Sequence, residues 1–303
     1  MDAPIPRPYS GPADLRRMQD LVSRVWSHAA HWHIGDLAWQ RSQHAGREAE
    51  WRTALWEDGG AVAAWAWMFG GEELFLVVDP ARPELADAAL AWSARTADDP
   101  ARMTVTVLDR EAHLIAALDR AGLVRAPDPV HAVYMRRGLA DLPEVEVPEG
   151  FRVRAVRGVH EAAARAQVHQ AAWRPSRVTA DSFREVMAAW PYRADLDLVA
   201  EAPDGSFAAS CLIWFDERTG VGELEPVGTD PRWRRRGLAR AVCLAALHAL
   251  RGAGGTEAVV YPVVGIERAA AAAPLYTSLG FTPYARSLTY TPRPDSGRGG
   301  DDR

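Results

Sequence analysis

Glu223 and Glu225 stand two residues apart in Val221-Gly-Glu-Leu-Glu-Pro-Val227, a run that reads as a β-strand. Residues two apart on a strand share a face, so both carboxylates point the same way. A carboxylate held there can take a proton from an amine, directly or through a water. A few residues on, Thr229-Asp-Pro-Arg-Trp-Arg-Arg-Arg-Gly-Leu-Ala239 turns from strand into helix and carries R-x-x-G-x-A at Arg234, Gly237 and Ala239. Such a turn aims several backbone N–H groups at one spot, at the positive end of a helix dipole, a geometry that suits a diphosphate. No G-x-x-x-x-G-K-[ST] occurs, and no G-x-G-x-x-G follows a first strand. A Walker lysine and a dinucleotide fingerprint are therefore excluded.

The elements around this turn must hold it. The helix from Leu238 to about Arg251 places Leu238, Val242, Ala245 and Ala249 on one apolar stripe, fit to pack on a sheet. A further strand, Glu257-Ala-Val-Val-Tyr-Pro-Val263, precedes a helix that ends in Leu275-Tyr-Thr-Ser-Leu-Gly-Phe281. The R-x-x-G-x-A turn resembles the acetyl-CoA diphosphate loop of the GNAT acetyltransferases, Q/R-x-x-G-x-G/A. The Ala273–Phe281 piece resembles the A-x-x-L-Y-x-x-L-G-F signature of the same family. Both stand in family order and together cover roughly residues 220–290.

The resemblance implies an α/β fold in the α+β sense: a mixed, mostly antiparallel sheet flanked by helices, its fourth and fifth strands splayed to admit pantetheine. It implies acetyl-CoA as acyl-donor substrate, with no metal. The amides of Arg235, Arg236, Gly237, Leu238 and Ala239 are the expected diphosphate contacts, with Arg234, Val227 and Thr229 beside them. The N–H of Val227 or a neighbour would polarise the thioester carbonyl. Glu225 is expected to be the base, with Glu223 or a water as alternatives, and Tyr276 to protonate the departing thiolate. The acceptor pocket is expected around Trp173, Arg174, Arg177 and Tyr192. The function implied is N-acetyl transfer to the amine of a small molecule, by direct attack in a ternary complex. A CoA-binding sensor without catalysis, a different acyl group, and a protein or aminosugar acceptor are the alternatives.

The same pattern occurs twice. Pro4–Tyr9 and Phe151–Val156 each open a strand-then-helix unit, Asp58-Gly59 and Asp204-Gly205 read as hairpin turns, and Val78-Asp-Pro80 matches Thr229-Asp-Pro231. Aligned on Asp-Pro, Arg234, Gly237 and Ala239 fall opposite Pro83, Ala86 and Ala88, and Tyr276 falls opposite Leu118, so the first copy has no phosphate loop. The expectation is a degenerate GNAT-like domain at 1–137, an exposed linker at 138–150, a catalytic GNAT domain at 151–291 and a disordered tail at 292–303. This resembles the tandem GNAT architecture, mycothiol synthases among them.

The chain has 303 residues, 48% of them hydrophobic, a length that fits two cored domains. A net charge of −5 argues against wholesale nucleic-acid binding, and leaves the arginines near Arg234 as a local anion site. The two cysteines, Cys211 and Cys243, sit in apolar runs and read as buried free thiols of a cytoplasmic protein. No apolar run reaches membrane-spanning length and the first residues lack a leader core. A monomer or homodimer without membrane partners is expected. His28, His31 and His33 are read as a loose cluster that no nearby carboxylate or cysteine completes, rather than as a metal site. The first-half tryptophans Trp26, Trp32, Trp39, Trp51, Trp56, Trp65, Trp67 and Trp92 lie among mixed charge, which favours core packing over base stacking.

Overall fold

The computed structural model describes residues 5–44, 46–47, 50–127 and 129–293. The first half runs β1 (Arg7–Pro8), α1 (Pro12–Val25), α2 (Ile34–Ser42), β2 (Arg52–Asp58), β3 (Ala61–Phe69), β4 (Glu73–Val78), α3 (Glu84–Thr96), β5 (Thr104–Leu108), α4 (Ala112–Arg120), β6 (Leu123–Arg125) and β7 (His131–Gly138). The second half repeats the order: β8 (Arg152–Ala155), α5 (Ala162–Ala172), α6 (Ala180–Ala188), β9 (Asp197–Glu201), β10 (Phe207–Asp216), β11 (Val221–Thr229), α7 (Leu238–Gly252), β12 (Glu257–Val260), β13 (Val263–Val264), α8 (Ala272–Ser278) and β14 (Thr282–Pro292). Of the residues that carry the leader reading, 1–7, the first four lie outside the described residues, as does the tail from 294 onward, while Pro292, expected in the tail, is the last residue of β14.

Local sequence explains these elements. Pro12 starts α1 at a position whose N–H has no helical partner anyway, and Met18, Leu21 and Val22 form its buried stripe. β10 is buried from end to end because helices cover both its faces: α7 packs on one, α5 and α2 on the other. Trp32, Trp39, Trp51, Trp56, Trp65 and Trp67 are all buried, so the tryptophan crowding is core. Truncating a fully buried ring such as Trp65 or Trp214 to alanine costs about 3–5 kcal/mol. In α7 the buried face centres on Leu238, Val242, Ala246 and Leu250. Ala245 and Ala249, expected in the stripe, are only partly buried at its margin.

The sheet is continuous through both halves, in the order β1-β2-β3-β4-β5-β14-β7-β12-β11-β10-β9-β8. Each half lends its last strand to the other. β7 pairs antiparallel with β12 (Glu257↔Gly138 to Val260↔Met135), and β14 pairs antiparallel with β5 (Ser287↔Leu108 to Tyr290↔Val105). Segment 139–150 is less free than an exposed linker: Leu139 is buried, and Leu142 and Val145 pack on the core that includes α7.

Both halves splay as the resemblance implies. β11 pairs in parallel with β12 only at Val221↔Glu257, Gly222↔Ala258 and Glu223↔Val259, then runs on to Thr229 without that neighbour. β4 leaves β5 after Glu73↔Thr104 and Leu74↔Val105. A register shift against β10 between Cys211 and Ile213 gives β11 one extra residue at Glu225-Pro226, a bulge that bends the strand into the gap.

Candidate active site

Alternation along β11 sends Leu224 into the core beneath α7 and both glutamates to the opposite face. Glu223 is buried there and Glu225 is only partly exposed. The first turn of α2, from the other half of the chain, closes over the strand so tightly that a Cβ on Gly35 would lie 2.5 Å from Glu223 Oε2 and 2.5 Å from Trp214 Cβ. Carboxylate oxygens of Asp36, Glu223 and Glu225 come within 4.8 Å of one another, with Glu223 buried at the bottom and the other two partly exposed. Three acids this close can share one cation, and an acceptor's ammonium is the cation that amine acetylation brings.

Their environment shifts all three upward. Burial, with the charge of Glu225 next, raises the Glu223 carboxyl well above the ordinary range. Burial and the charge of Glu223 raise Asp36. Burial and the charge of Asp36 push Glu225 up to about 8, near the value that suits a base at neutral pH. The Trp214 indole N–H donates to the Glu225 carbonyl at 2.7 Å and pins the strand at the bulge.

A ring of first-half and second-half groups surrounds the cluster. His33 is the N-cap of α2, fully buried, with Nδ1 at 3.2 Å from Glu223 Oε2. Tyr134 of β7 stacks on Tyr261 with centroids 4.1 Å apart, and its hydroxyl meets His31 Nδ1 at 2.9 Å. The hydroxyls of Tyr261 and Tyr284 are buried beside each other, with no other protein partner among the described residues. The fold brings a carboxylate to each of the three histidines. His28 meets Glu257 at 3.0 Å, the His31 N–H donates to Glu111 at 3.1 Å, and His33 meets Glu223. Each partner is 80 or more positions away in the chain, beyond any sequence window.

The strand-to-helix turn presents free donors. Among the described residues, no amide from Arg235 to Arg240 donates to a backbone carbonyl; the first backbone bond of α7 is Ala241 N–H to Gly237 O at 3.0 Å. Gly237 is the N-cap of α7 at φ 81°, a left-handed conformation that a Cβ disfavours. That conformational demand, rather than crowding, calls for glycine, since a Cβ would meet only Pro148 Cγ at 3.8 Å. Arg235 at φ 63° is the one non-glycine at positive φ among the described residues, and Arg234, Arg235 and Arg236 are exposed at the rim. Thr229 Oγ1 is buried without a partner at the end of β11. Free amides, an orphaned hydroxyl and an unpaired strand edge fit an acyl-CoA. The equivalent turn of the first half does not: Pro83 caps α3, and Glu84 and Asp87 sit in its first turn, where they repel phosphate.

Tyr276 lies on α8, nearly buried, edge-on to Phe281; burial raises its phenol, helped by the two thiols and Glu225. Cys211 and Cys243 are free and buried beside each other. Trp173, half exposed, stands over the end of β11, with Nε1 3.1 Å from where a Gly228 Cβ would lie. Arg174 and Arg177 are exposed in the loop that follows. Tyr192 is turned elsewhere: its hydroxyl donates to Asp197, the partner of the fully buried Arg165, so it does not line the carboxylate cluster. Sequence reasoning missed His33, Asp36, Tyr134, Tyr261 and Tyr284. Only the helix-start pattern at His33 and Asp36 left a trace, and it speaks to capping alone.

A family model described as the acetyltransferase (GNAT) family matches residues 165–281. A mycothiol acetyltransferase of Kineococcus radiotolerans is 34% identical over 179 residues, 58% of this chain and 57% of that protein. The chain thus spans about half the length of this relative. A mycothiol acetyltransferase of a Nocardioides species is 34% identical over 262 residues, 78% of this chain and 86% of the relative. The chain belongs to the GNAT acetyltransferase family. Among solved structures, a tandem GNAT protein from the clavulanic acid biosynthesis pathway superposes with a TM-score of 0.61 at 16% identity, over 95% of this chain and 97% of that one, which speaks to the fold. In this GNAT chain the family match takes in β11, the phosphate turn and Tyr276, and leaves out α2 with His33 and Asp36.

Proposed function

We propose that this GNAT protein transfers the acetyl group of acetyl-CoA to the primary amine of a small molecule, by direct attack within a ternary complex. One observation carries the reading: β11 leads from the carboxylate cluster, along an edge without a neighbour strand, to a turn whose amides are free. The amides of Arg235 to Ala239 and the Arg234–Arg236 side chains hold the diphosphate, and the β11 edge from Val227 to Thr229 holds the pantetheine arm. Acetyl-CoA supplies an activated thioester. The Val227 N–H steadies the carbonyl oxygen as negative charge gathers on it. Glu225 accepts the amine proton, which it can do once ionised near pH 8. Tyr276 can return a proton to the leaving sulfur, modestly, because burial holds its phenol high.

The acceptor lies against Asp36, Tyr261 and Tyr284 in this reading, so the first half shapes substrate selection. The relatives' name makes a mycothiol-type precursor the first acceptor to assay. The two free thiols support a cytoplasmic setting. The test is a panel of amines scored for CoA release, with mass spectrometry of the products. An acetylated amine made at a rate dependent on Glu225 supports the reading. Acetyl-CoA binding without transfer to any acceptor would favour a sensor module instead.

A further inference from the structure

One imidazole ties the first half to this chemistry. His33 Nδ1 accepts the Gly35 N–H at 3.1 Å, and the His33 N–H donates to Asp36 Oδ2 at 2.7 Å, so the α2 cap fixes the ring. The bond from Gly35 also fixes the tautomer: Nδ1 bears the lone pair and Nε2 the hydrogen. Yet Glu223 Oε2 lies 3.2 Å from that same Nδ1, both side chains being buried, while Asp36 and Glu225 are the other hydrogen-bonding neighbours of the Glu223 carboxyl. Two lone pairs at this separation repel unless a proton lies between them. A proton on Oε2 turns the contact into a hydrogen bond that satisfies Oε2, the Nδ1 lone pair then being shared between the Glu223 O–H and the Gly35 N–H.

We propose that His33 is a positioning residue for acetyl transfer: its Nδ1 accepts a hydrogen bond from a Glu223 that remains a neutral carboxylic acid, leaving Glu225 as the carboxylate that meets the amine. This rests on the acetyltransferase reading of the site. The groups around Glu223 agree with it. Asp36 faces it from α2, Glu225 from β11, Tyr134 from β7, Tyr261 from the segment after β12 and Tyr284 from β14. None is a permanent cation, so a second negative charge beside Glu225 is disfavoured. His33 itself faces Asp216 at the end of β10 and the Val221 backbone, its Nε2 is buried without a hydrogen bond to either, and burial keeps the ring neutral. Two adjacent carboxyls thereby take opposite protonation states, the arrangement that lets one serve as base.

The test uses the full-length chain and His33→Asn, which keeps a good N-cap while withdrawing the ring nitrogen. The first readout is infrared absorption of protonated carboxyl groups at neutral pH. A band lost in Glu223→Gln and displaced in His33→Asn is expected. The second is the pH profile of kcat/KM. Without Nδ1, the Glu223 O–H turns to Glu225 and hydrogen-bonds its charged form. The plateau should then fall about tenfold while the acid limb moves to lower pH by on the order of one unit, with the KM for acetyl-CoA unchanged. A purely structural role would lower the plateau without moving the limb. Absence of a Glu223 band, or an acid limb that stays in place or moves up in folded His33→Asn, overturns the proposal. A wild-type protein that acetylates no amine sinks the functional reading instead, and the infrared result still decides the position of the proton.

Discussion

Replacing Gly35 by alanine adds one methyl group in the first half and should damage the chemistry of the second. The new Cβ would sit 2.5 Å from Glu223 Oε2, 2.5 Å from Trp214 Cβ and 2.7 Å from Trp214 Cγ, so both side chains or the α2 backbone must give way. Overpacking of this kind costs about 1–3 kcal/mol. Alanine recovers about 0.5–1 kcal/mol through its better helix propensity. The net loss is about 1–2 kcal/mol, a fall of several degrees in Tm for a chain of this size. The functional effect should be larger than the stability effect. A displacement of about 1 Å at a reacting group can cost up to about a hundredfold in rate, so kcat should drop by one to two orders of magnitude while acetyl-CoA binds as before. Gly252→Ala is the control, because nothing lies within 4 Å of that Cβ at the end of α7. Urea denaturation and amine-dependent CoA release, measured on both variants, decide the matter. If Gly35→Ala matches Gly252→Ala in midpoint and turnover, α2 does not hold Glu223 in the way described.

Acetyl-CoA at about a hundred times its Kd should stabilise the protein by about 2.7 kcal/mol, and Gly237→Glu should abolish that thermal shift by putting bulk and negative charge at the phosphate turn; a retained shift would locate the phosphates elsewhere. Glu225→Gln should lower turnover by about 10²–10⁴-fold without weakening CoA binding in calorimetry, and an unchanged rate would move the base to Glu223 or to water. Tyr276→Phe should slow turnover rather than abolish it, since thiolates leave fairly well unaided; complete loss would make the phenol obligatory. Stability should decline from about pH 6.5 to about pH 8, above the range in which His31 (about 4), His169 (about 3) and His33, all lowered by burial, add stability as pH rises. Glu223, Asp36, Glu225 (about 8) and Glu111 (about 7) hold protons in the folded state that the unfolded chain has already released. That stabilisation is complete near and below about pH 4, the unfolded carboxylate range, and fades as pH climbs through the raised values. Urea midpoints across this range test it, and Glu223→Gln should flatten the decline.

The second-half elements were legible because local pattern dictates them. Arg234-x-x-Gly237-x-Ala239 announced a turn into a helix, and α7 begins at Leu238. Asp204-Gly205 announced the hairpin joining β9 to β10. The stripe on α7 was misplaced toward Ala245 and Ala249 because alanines fill much of that helix and blur which face is apolar. The pairing of Glu223 and Glu225 could be read from a period of two. Their burial could not, since it is imposed by a helix whose sequence lies nearly two hundred residues upstream. The exchange of β7 and β14 was equally hidden: each is the last strand of its half, of mixed polarity, and nothing local says whether it will pair with β5 or β12.

That exchange changes what a shortened chain would lose. A ribosome that stalls, or a protease that cuts, ahead of Thr282 removes residues belonging by order to the second half, yet the wound opens in the middle of the molecule, where β5 and β7 would face each other across an empty slot. Two raw strand borders then await any extended peptide, a copy of the missing ribbon above all. Strand β14 acts as the keystone of the amino-terminal unit, and neither unit is finished until its last residue has been made.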